Sequence, residues 1–322
     1  MAGWPDEWKC AEIAALWKRK GSRDDKRNYR AVAILPAAAR LVERALLPQL
    51  LRHFERVGLY PDSQHGFRAG RSCETALAHL VQLIAQGRDR GHVVIVASLD
   101  AAAAFDTVAH DVLLEKLRRT AGVDGAALAL VESFLAGRRQ RVRMSGGRVS
   151  GWRDLHCGTA AGAVWSPALY AAAVADLPRH VTAGEVVSYA DDVSAVVSAP
   201  TVAEAMARMN EALAQFSGYA RRNRISPAPE KNQLLAVGVP AGAAPVRCEM
   251  DGVALEATPT VKVLGAVLDD RLSWETHAHA AAHRADNATR QVARVAGALT
   301  MRDREALLRA LALPHLDFAP SP

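Results

Sequence analysis

Three aspartates are the residues of this chain best suited to chemistry. Asp191 and Asp192 are adjacent in VVSYADDVSAVVSA, between short runs of Val, Ala and Ser. Asp is depleted in strands and costly to desolvate, so two carboxylates at the tip of an apolar hairpin need a reason. Asp100 closes VVIVASLD, a β-branched run with the signature of a buried strand, and stands at that strand's C-terminal end. Two strand ends that each deliver a carboxylate suit two magnesium ions about 3.5–4 Å apart, the arrangement for in-line phosphoryl displacement. Oxygen ligands match a hard cation, and no His/Cys set competes for zinc. The structural alternative is that Asp100 caps the following helix and Asp191-Asp192 make a turn.

The elements that must position these groups are readable from periodicity. The first third of the chain reads as mostly helical. Val42 to Val57 carries apolar residues at helical spacing and closes at Gly58, and Ser72 to Ile84 places Leu77, Leu80 and Ile84 on one stripe. Val93 to Leu99 is the strand that leads to Asp100. A helix follows Asp106 with Leu113, Leu114 and Leu117 inward, and Gly146-Gly147 with Gly151 punctuates a hairpin. Val202 to Tyr219 is a long amphipathic helix, and Asp251-Gly252 marks a second hairpin. From Thr276 onward the pattern is helical and Ala-rich.

Half of the 322 residues are hydrophobic, enough for a large core in one multi-lobed unit or two domains. The formal charge of +6 permits a polyanionic partner without demanding one. Basic clusters occur at residues 18–20, 138–143 and 221–224, either solvated faces or nucleic-acid contacts. Cys10, Cys73, Cys157 and Cys248 form no CxxC pair, which points to a reducing, intracellular compartment. His277, His279 and His283 cannot share one helix face and read as surface or packing residues. The N-terminus lacks a signal-peptide layout. The uncharged stretch Leu155 to Ala175 is too rich in Ala and Gly, with a Pro, for a bilayer span, so no membrane partner is expected.

The order of segments resembles the reverse transcriptase domain of non-LTR (LINE-type) retrotransposons over nearly the entire chain. NYRAVAILP (from Asn28) is similar to the family's NYRPxSLLP, and QHGFRAGRSCETAL (from Gln64) to its QxGFRxGxST. SLDAAAAFDTVAHDVLLEKL (from Ser98) matches the catalytic D-x-x-x-A-F-D-T-V-x-H block, and YADD is the second catalytic block. PEKNQLL (from Pro229) resembles N-x-x-K-T, and VKVLGAVLDDRLSW (from Val261) resembles F-L-G-V-x-L-D. The resemblance implies an α+β right-hand polymerase fold with an antiparallel palm sheet and packed helices. Fingers are then expected over residues 1–95, a palm over 96–270, and part of a helical thumb or connection over 271–322.

It further implies an RNA-directed DNA polymerase that extends a DNA primer or target DNA on an RNA template with dNTPs, using two Mg2+ ions for which Mn2+ can substitute, and a nuclear site of action. Asp100, Asp191 and Asp192 would be the catalytic metal ligands, with the backbone carbonyl of Ala101 as a further oxygen. Phe105 would be an aromatic gate against a 2′-hydroxyl, the alternative being an ordinary core Phe. Arg68 and Arg71 would fork onto triphosphate oxygens, or instead make a fingers salt bridge or a template-backbone contact. Lys231 would protonate the leaving pyrophosphate, Gly265 would belong to the hairpin that steadies the primer end, and Ala161 and Gly162 would face the nucleotide. No stable protein partner is inferable.

One block departs from the family. CGTAAGAVWSPALYAAAVADLP stands where the pattern reads GVPQGSxLSPxLFxxYxNDLP, so that Ala160 and Ala161 replace Pro and Gln, Ala163 replaces Ser, and Trp165 replaces Leu. Ala102-Ala103 also stand where Ser-Lys is usual. The metal ligands remain while substrate-facing residues change, which predicts reduced activity. The competing readings are a degenerate relic that only binds nucleic acid, and a magnesium phosphohydrolase, which explains none of the other blocks.

Overall fold

The computed structural model describes residues 3–102, 105–160 and 162–318. Its opening corrects the helical reading of the first third. Strands β1 (Cys10–Trp17) and β2 (Tyr29–Ile34) pair antiparallel with Glu12 opposite Ile34. CAEIAALW holds helix-forming Ala, Glu and Leu, but partners in register decide the outcome, and Ala11 and Ile13 are buried on alternate positions. Helix α1 (Ala37–Arg56) begins earlier than the expected 42–57. Helix α2 (Cys73–Asp89) starts on a capping box: Ser72 Oγ accepts from the Thr75 amide, and Thr75 Oγ1 accepts from the Ser72 amide.

Strand β3 (Val93–Leu99) is where the pattern predicts it, followed by β4 (Ala101–Ala102), α3 (His110–Arg119) and α4 (Gly125–Leu135). Strands β5 (Arg138–Arg143) and β6 (Arg153–Leu155) form the glycine-punctuated hairpin. Leu155 to Ala175 resolves into a short buried helix, α5 (Ser166–Val174), before α6 (Leu177–His180). Among the described residues, no helix is long and apolar enough to cross a membrane. Strands β7 (Glu185–Tyr189) and β8 (Asp192–Ala199) flank the paired aspartates, and α7 (Val202–Arg222) follows. Strands β9 (Ser226–Pro227) and β10 (Gln233–Val237) precede two hairpins, β11 (Arg247–Met250) with β12 (Val253–Glu256), and β13 (Thr260–Val263) with β14 (Ala266–Asp269). Helices α8 (Glu275–Val295), α9 (Met301–Leu311) and α10 (Leu313–Asp317) follow.

The chain forms two compact units that interleave in sequence. The first comprises Met1–Phe67, Ala101–His180 and Phe216–Ala228. It holds a mixed sheet in the order β2-β1-β5-β6, in which β1 and β5 run parallel. Its core is aromatic and Ala-rich, with Trp4, Phe54, Phe134, Trp165 and Leu169 buried. Here Lys116 Nζ donates to Asp176 Oδ1 at 2.6 Å and to Tyr219 Oη at 3.1 Å, while the Tyr219 hydroxyl donates to the same carboxylate at 2.7 Å.

The second unit comprises Arg68–Asp100, Val181–Gln215 and Pro229–Pro322. Its antiparallel sheet runs β10-β3-β8-β7. Leu77, Leu80 and Ile84 of α2 pack with Val94, Val96 and Val196 of the sheet and with Val261, Leu268 and Trp274. His277 is a packing residue: its Nδ1 accepts from the Val267 amide, so Nε2 carries the proton toward the Phe318 carbonyl. All four cysteines are free thiols.

Candidate active site

The second unit gathers the three aspartates. Leu99 on β3 pairs with Val193 on β8, so Asp100 lies one step past that pair, beside Asp192. Tyr189 pairs with Asp192, which leaves Ala190-Asp191 as a two-residue turn. Ala190 sits in this turn at φ +57°, a left-handed conformation that glycine takes without penalty. The buried flanks of β3 and β8 hold the turn against that strain.

Asp100 is pinned from a third segment. Its amide donates to Asn232 Oδ1 at 3.0 Å, and its Oδ2 accepts from Lys231 Nζ at 2.7 Å. This contact raises the Lys231 pKa. Asn232 escaped the sequence reading; its signal was its place next to Lys231 in PEKNQLL. Asp192 is exposed by surface area, yet the surrounding protein mass, then Asp191 and Asp100, push its pKa up. Crowded carboxylates of this kind are relieved by a cation, and an all-oxygen donor set suits a hard divalent ion. Among the described residues no three His, Cys, Asp or Glu side chains are arranged as a ready metal cage, and the ammonium of Lys231 is the cation on Asp100. The 68–77 block also reaches this hairpin: the Cys73 side chain at the start of α2 is hydrogen-bonded to Tyr189 and raises its pKa. Arg68 and Arg71 are half-buried on the segment before α2. Gly265 shares a two-residue turn with Leu264, at φ +90° and +49°, and a Cβ on Gly265 would meet the Phe318 ring at 3.2 Å.

The remaining candidates lie in the first unit. Ala101 belongs to β4, paired with Pro227. Phe105 is half-buried, its ring centroid 6.0 Å from that of Phe67 and 4.8 Å from that of Tyr170. In the altered block, Ala161 lies outside the described residues. Gly162 adopts φ +122°, and a Cβ there would meet the Ala33 carbonyl oxygen at 2.5 Å, so only glycine fits. Gly158 is comparably tight: a Cβ there would meet the Asp106 carbonyl oxygen at 2.8 Å. Ala160 sits at φ +53°, which proline cannot adopt, so the exchange of Pro for Ala goes with a different local backbone path.

The profile of the family described as "Reverse transcriptase (RNA-dependent DNA polymerase)" matches residues 18–268. The chain is 28% identical over 290 residues to the probable RNA-directed DNA polymerase from transposon BS of Drosophila melanogaster, covering 87% of this chain and 32% of that protein. It is 27% identical over 280 residues to the RNA-directed DNA polymerase from mobile element jockey of the same organism, covering 85% and 30%. The chain thus spans about a third of the length of these relatives. Among solved structures, apo telomerase from Candida tropicalis truncated of its C-terminal domain superposes with a TM-score of 0.56 at 11% identity, over 84% of this chain and 55% of that one. Telomerase from Candida albicans in complex with a fragment of telomeric RNA gives 0.51 at 12% identity, over 82% and 46%. These likenesses show the fold, the α+β right-hand polymerase class, with the antiparallel sheet β10-β3-β8-β7 in the second unit.

Proposed function

The chain belongs to the reverse transcriptase (RNA-dependent DNA polymerase) family, and we propose that it is the RNA-directed DNA polymerase domain of a non-LTR retrotransposon enzyme. One observation carries this reading: register brings Asp100 beside the Asp191-Asp192 hairpin in a single antiparallel sheet. In functional terms residues 1–95 are the fingers, 96–270 the palm and 271–322 part of a thumb.

Asp100, Asp191, Asp192 and the Ala101 carbonyl are the groups that would hold two Mg2+ ions, and Mn2+ would serve in their place. Such ions, when bound, activate a primer 3′-hydroxyl and neutralise charge developing on a triphosphate. The remaining work falls to the chain's own residues. The backbone strain at Ala190 fixes where Asp191 and Asp192 stand. Asn232 holds the Asp100 backbone. Lys231 would protonate the leaving pyrophosphate; its bond to Asp100 raises its pKa and opposes that transfer while the two stay paired. Arg68 and Arg71 fork onto triphosphate oxygens, Gly162 lets backbone approach the nucleotide, and Gly265 serves the turn at the primer end. Phe105, packed against Tyr170, presents a ring that leaves no room for a 2′-hydroxyl.

The partners are an RNA template, a DNA primer and dNTPs; the related polymerases and the RNA-bound telomerase support this. Ala160, Ala161 and Ala163 support a second reading, a relic that binds nucleic acid without copying it. Primer extension on an RNA template with dNTPs and Mg2+ or Mn2+ separates the two. The polymerase extends and Asp191→Asn does not, while both bind primer–template equally. Binding without extension by the unaltered chain leaves the relic.

A further inference from the structure

The altered block is bound into the first unit by a contact the family pattern does not foretell. Glu43, on α1, is completely buried. Its Oε2 accepts the backbone N–H of Val164 at 2.5 Å and that of Trp165 at 3.0 Å. In return the Trp165 indole N–H donates to the Glu43 carbonyl at 2.9 Å. These amides lead into α5, which has no side-chain cap of its own, so a carboxylate from another helix stands at its start. Leucine, the pattern residue at 165, has no side-chain N–H with which to make the return bond. The Trp165 ring also lies 5.4 Å from Trp4 and 5.1 Å from Phe134, with the Arg138 guanidinium 4.7 Å over Phe134.

Burying a carboxylate is costly, and a merely apolar core would do without one. Glu43 Oε1 has no hydrogen-bond partner, and the buried Arg138 leaves Nε and Nη2 without one. The unit therefore tolerates unsatisfied polar atoms on two buried ionisable side chains while the Val164 and Trp165 amides stay bonded to Glu43. From there the hold runs to Phe105. The Ser166 hydroxyl donates to the Thr159 carbonyl, and to that of Ala160 at 3.0 Å. The Thr159 amide donates to the Phe105 carbonyl at 2.9 Å, and the Gly158 amide to the Val108 carbonyl at 2.8 Å.

We propose that Glu43, locked to Trp165, is a positioning residue that sets the place of the Phe105 ring through the 158–166 loop, and so tunes discrimination between deoxynucleotides and ribonucleotides. This rests on the polymerase reading of the chain. Glu43 touches no substrate. Trp165 is then a matched replacement in the altered block rather than a sign of decay.

The test combines Glu43→Ala, Glu43→Gln and Trp165→Phe with two measurements. Incorporation of dNTP against rNTP is measured by single-nucleotide extension, and backbone amide exchange over residues 105–108 and 158–165 is compared with that of β3 and β8. Glu43→Ala should lower discrimination about tenfold, through KM for dNTP more than through kcat. Glu43→Gln keeps an acceptor oxygen and should stay within about threefold of the unaltered chain, whereas Trp165→Phe, which loses the indole N–H and part of a buried ring, should lower discrimination about as far as Glu43→Ala. Exchange should rise in the two loop segments and stay low in β3 and β8. Unchanged discrimination, or exchange that rises throughout the first unit, overturns the proposal and leaves Glu43 a core support. If Glu43→Ala does not fold, Trp165→Phe decides by the same two readouts: lowered discrimination with exchange raised only in the two segments upholds the proposal, and unchanged discrimination overturns it. If the unaltered chain extends nothing, the polymerase reading falls and exchange alone judges the lock: a rise confined to the two segments upholds it, and unchanged exchange overturns it.

Discussion

Asp192 and Asp176 are carboxylates in opposite circumstances. At Asp192, surrounding protein and then Asp191 and Asp100 push the pKa up. At Asp176 burial pulls in the same direction, but hydrogen bonds from Lys116 and Tyr219 outweigh it and hold the carboxyl below its ordinary range. Lys116 is itself pulled down by its burial, with Asp176 opposing. One carboxylate has its charge answered within the chain, and the other stands among like charges. An answered charge belongs to the architecture, and an unanswered one at a strand end belongs to a ligand that the chain must recruit.

The largest effect that separates the two regions should be on rate. Asp191→Asn is expected to lower single-turnover primer extension by about a thousandfold or more, roughly 4 kcal/mol of barrier, with the melting temperature unchanged. Extension that survives would dissolve the comparison. Asp176→Asn should do the reverse, costing about 3 kcal/mol in denaturant unfolding because Lys116 is left buried without its counter-charge, while extension per folded molecule holds. Loss of extension by properly folded Asp176→Asn would move that network into the active machinery.

Acid sharpens the contrast. Because the folded-state pKa of Asp176 is lowered, its stabilisation is present above the unfolded value of about 3.9 and is lost as pH falls through the folded one. The acid unfolding limb of Asp176→Asn should be shallower than that of the unaltered chain, as followed by circular dichroism. The smallest expected effect concerns the turns. Ala190→Gly should stabilise the fold by about 1 kcal/mol by relieving a left-handed alanine, and Gly252→Ala, at φ +81°, should cost about as much. Thermal unfolding of both variants measures this, and a neutral Ala190→Gly would mean the aspartate hairpin carries no strain.

Local chemistry was legible in the sequence where neighbours along the chain decide the structure. The β-branched run of β3, the Asp251-Gly252 turn and the stripe on α2 each carry their own signal. Two strand ends bearing carboxylates made the aspartates legible from the residues themselves, and the order of segments added the family. What escaped depends on contacts across the chain. CAEIAALW is a strand because β2 and β5 flank it, not because of its composition. Glu43 looks like an ordinary helix glutamate until α1 meets the start of α5. The left-handed Ala190 is invisible because alanine announces no turn, unlike glycine. The closure of position 160 to proline likewise appears only once its φ is known.

The interleaving of the two units bears on how the chain is made. In the first unit β1 waits for β5, whose Arg139 pairs with Cys10, and the unit then needs Tyr219 and β9 to complete it. In the second, β3 finds one neighbour at β8 and the other only at β10. Synthesis runs from the N-terminus, so neither unit can close while the ribosome is still short of residues 216–228. β1 has one open edge until β5 is made and β3 has one until β10, a long exposure for a strand as apolar as VVIVASL. The chain should therefore lean on chaperones during translation. A copy stopped before β9 would leave both sheets or their supports unfinished, so a premature stop even late in the reading frame should yield aggregate rather than a smaller working domain.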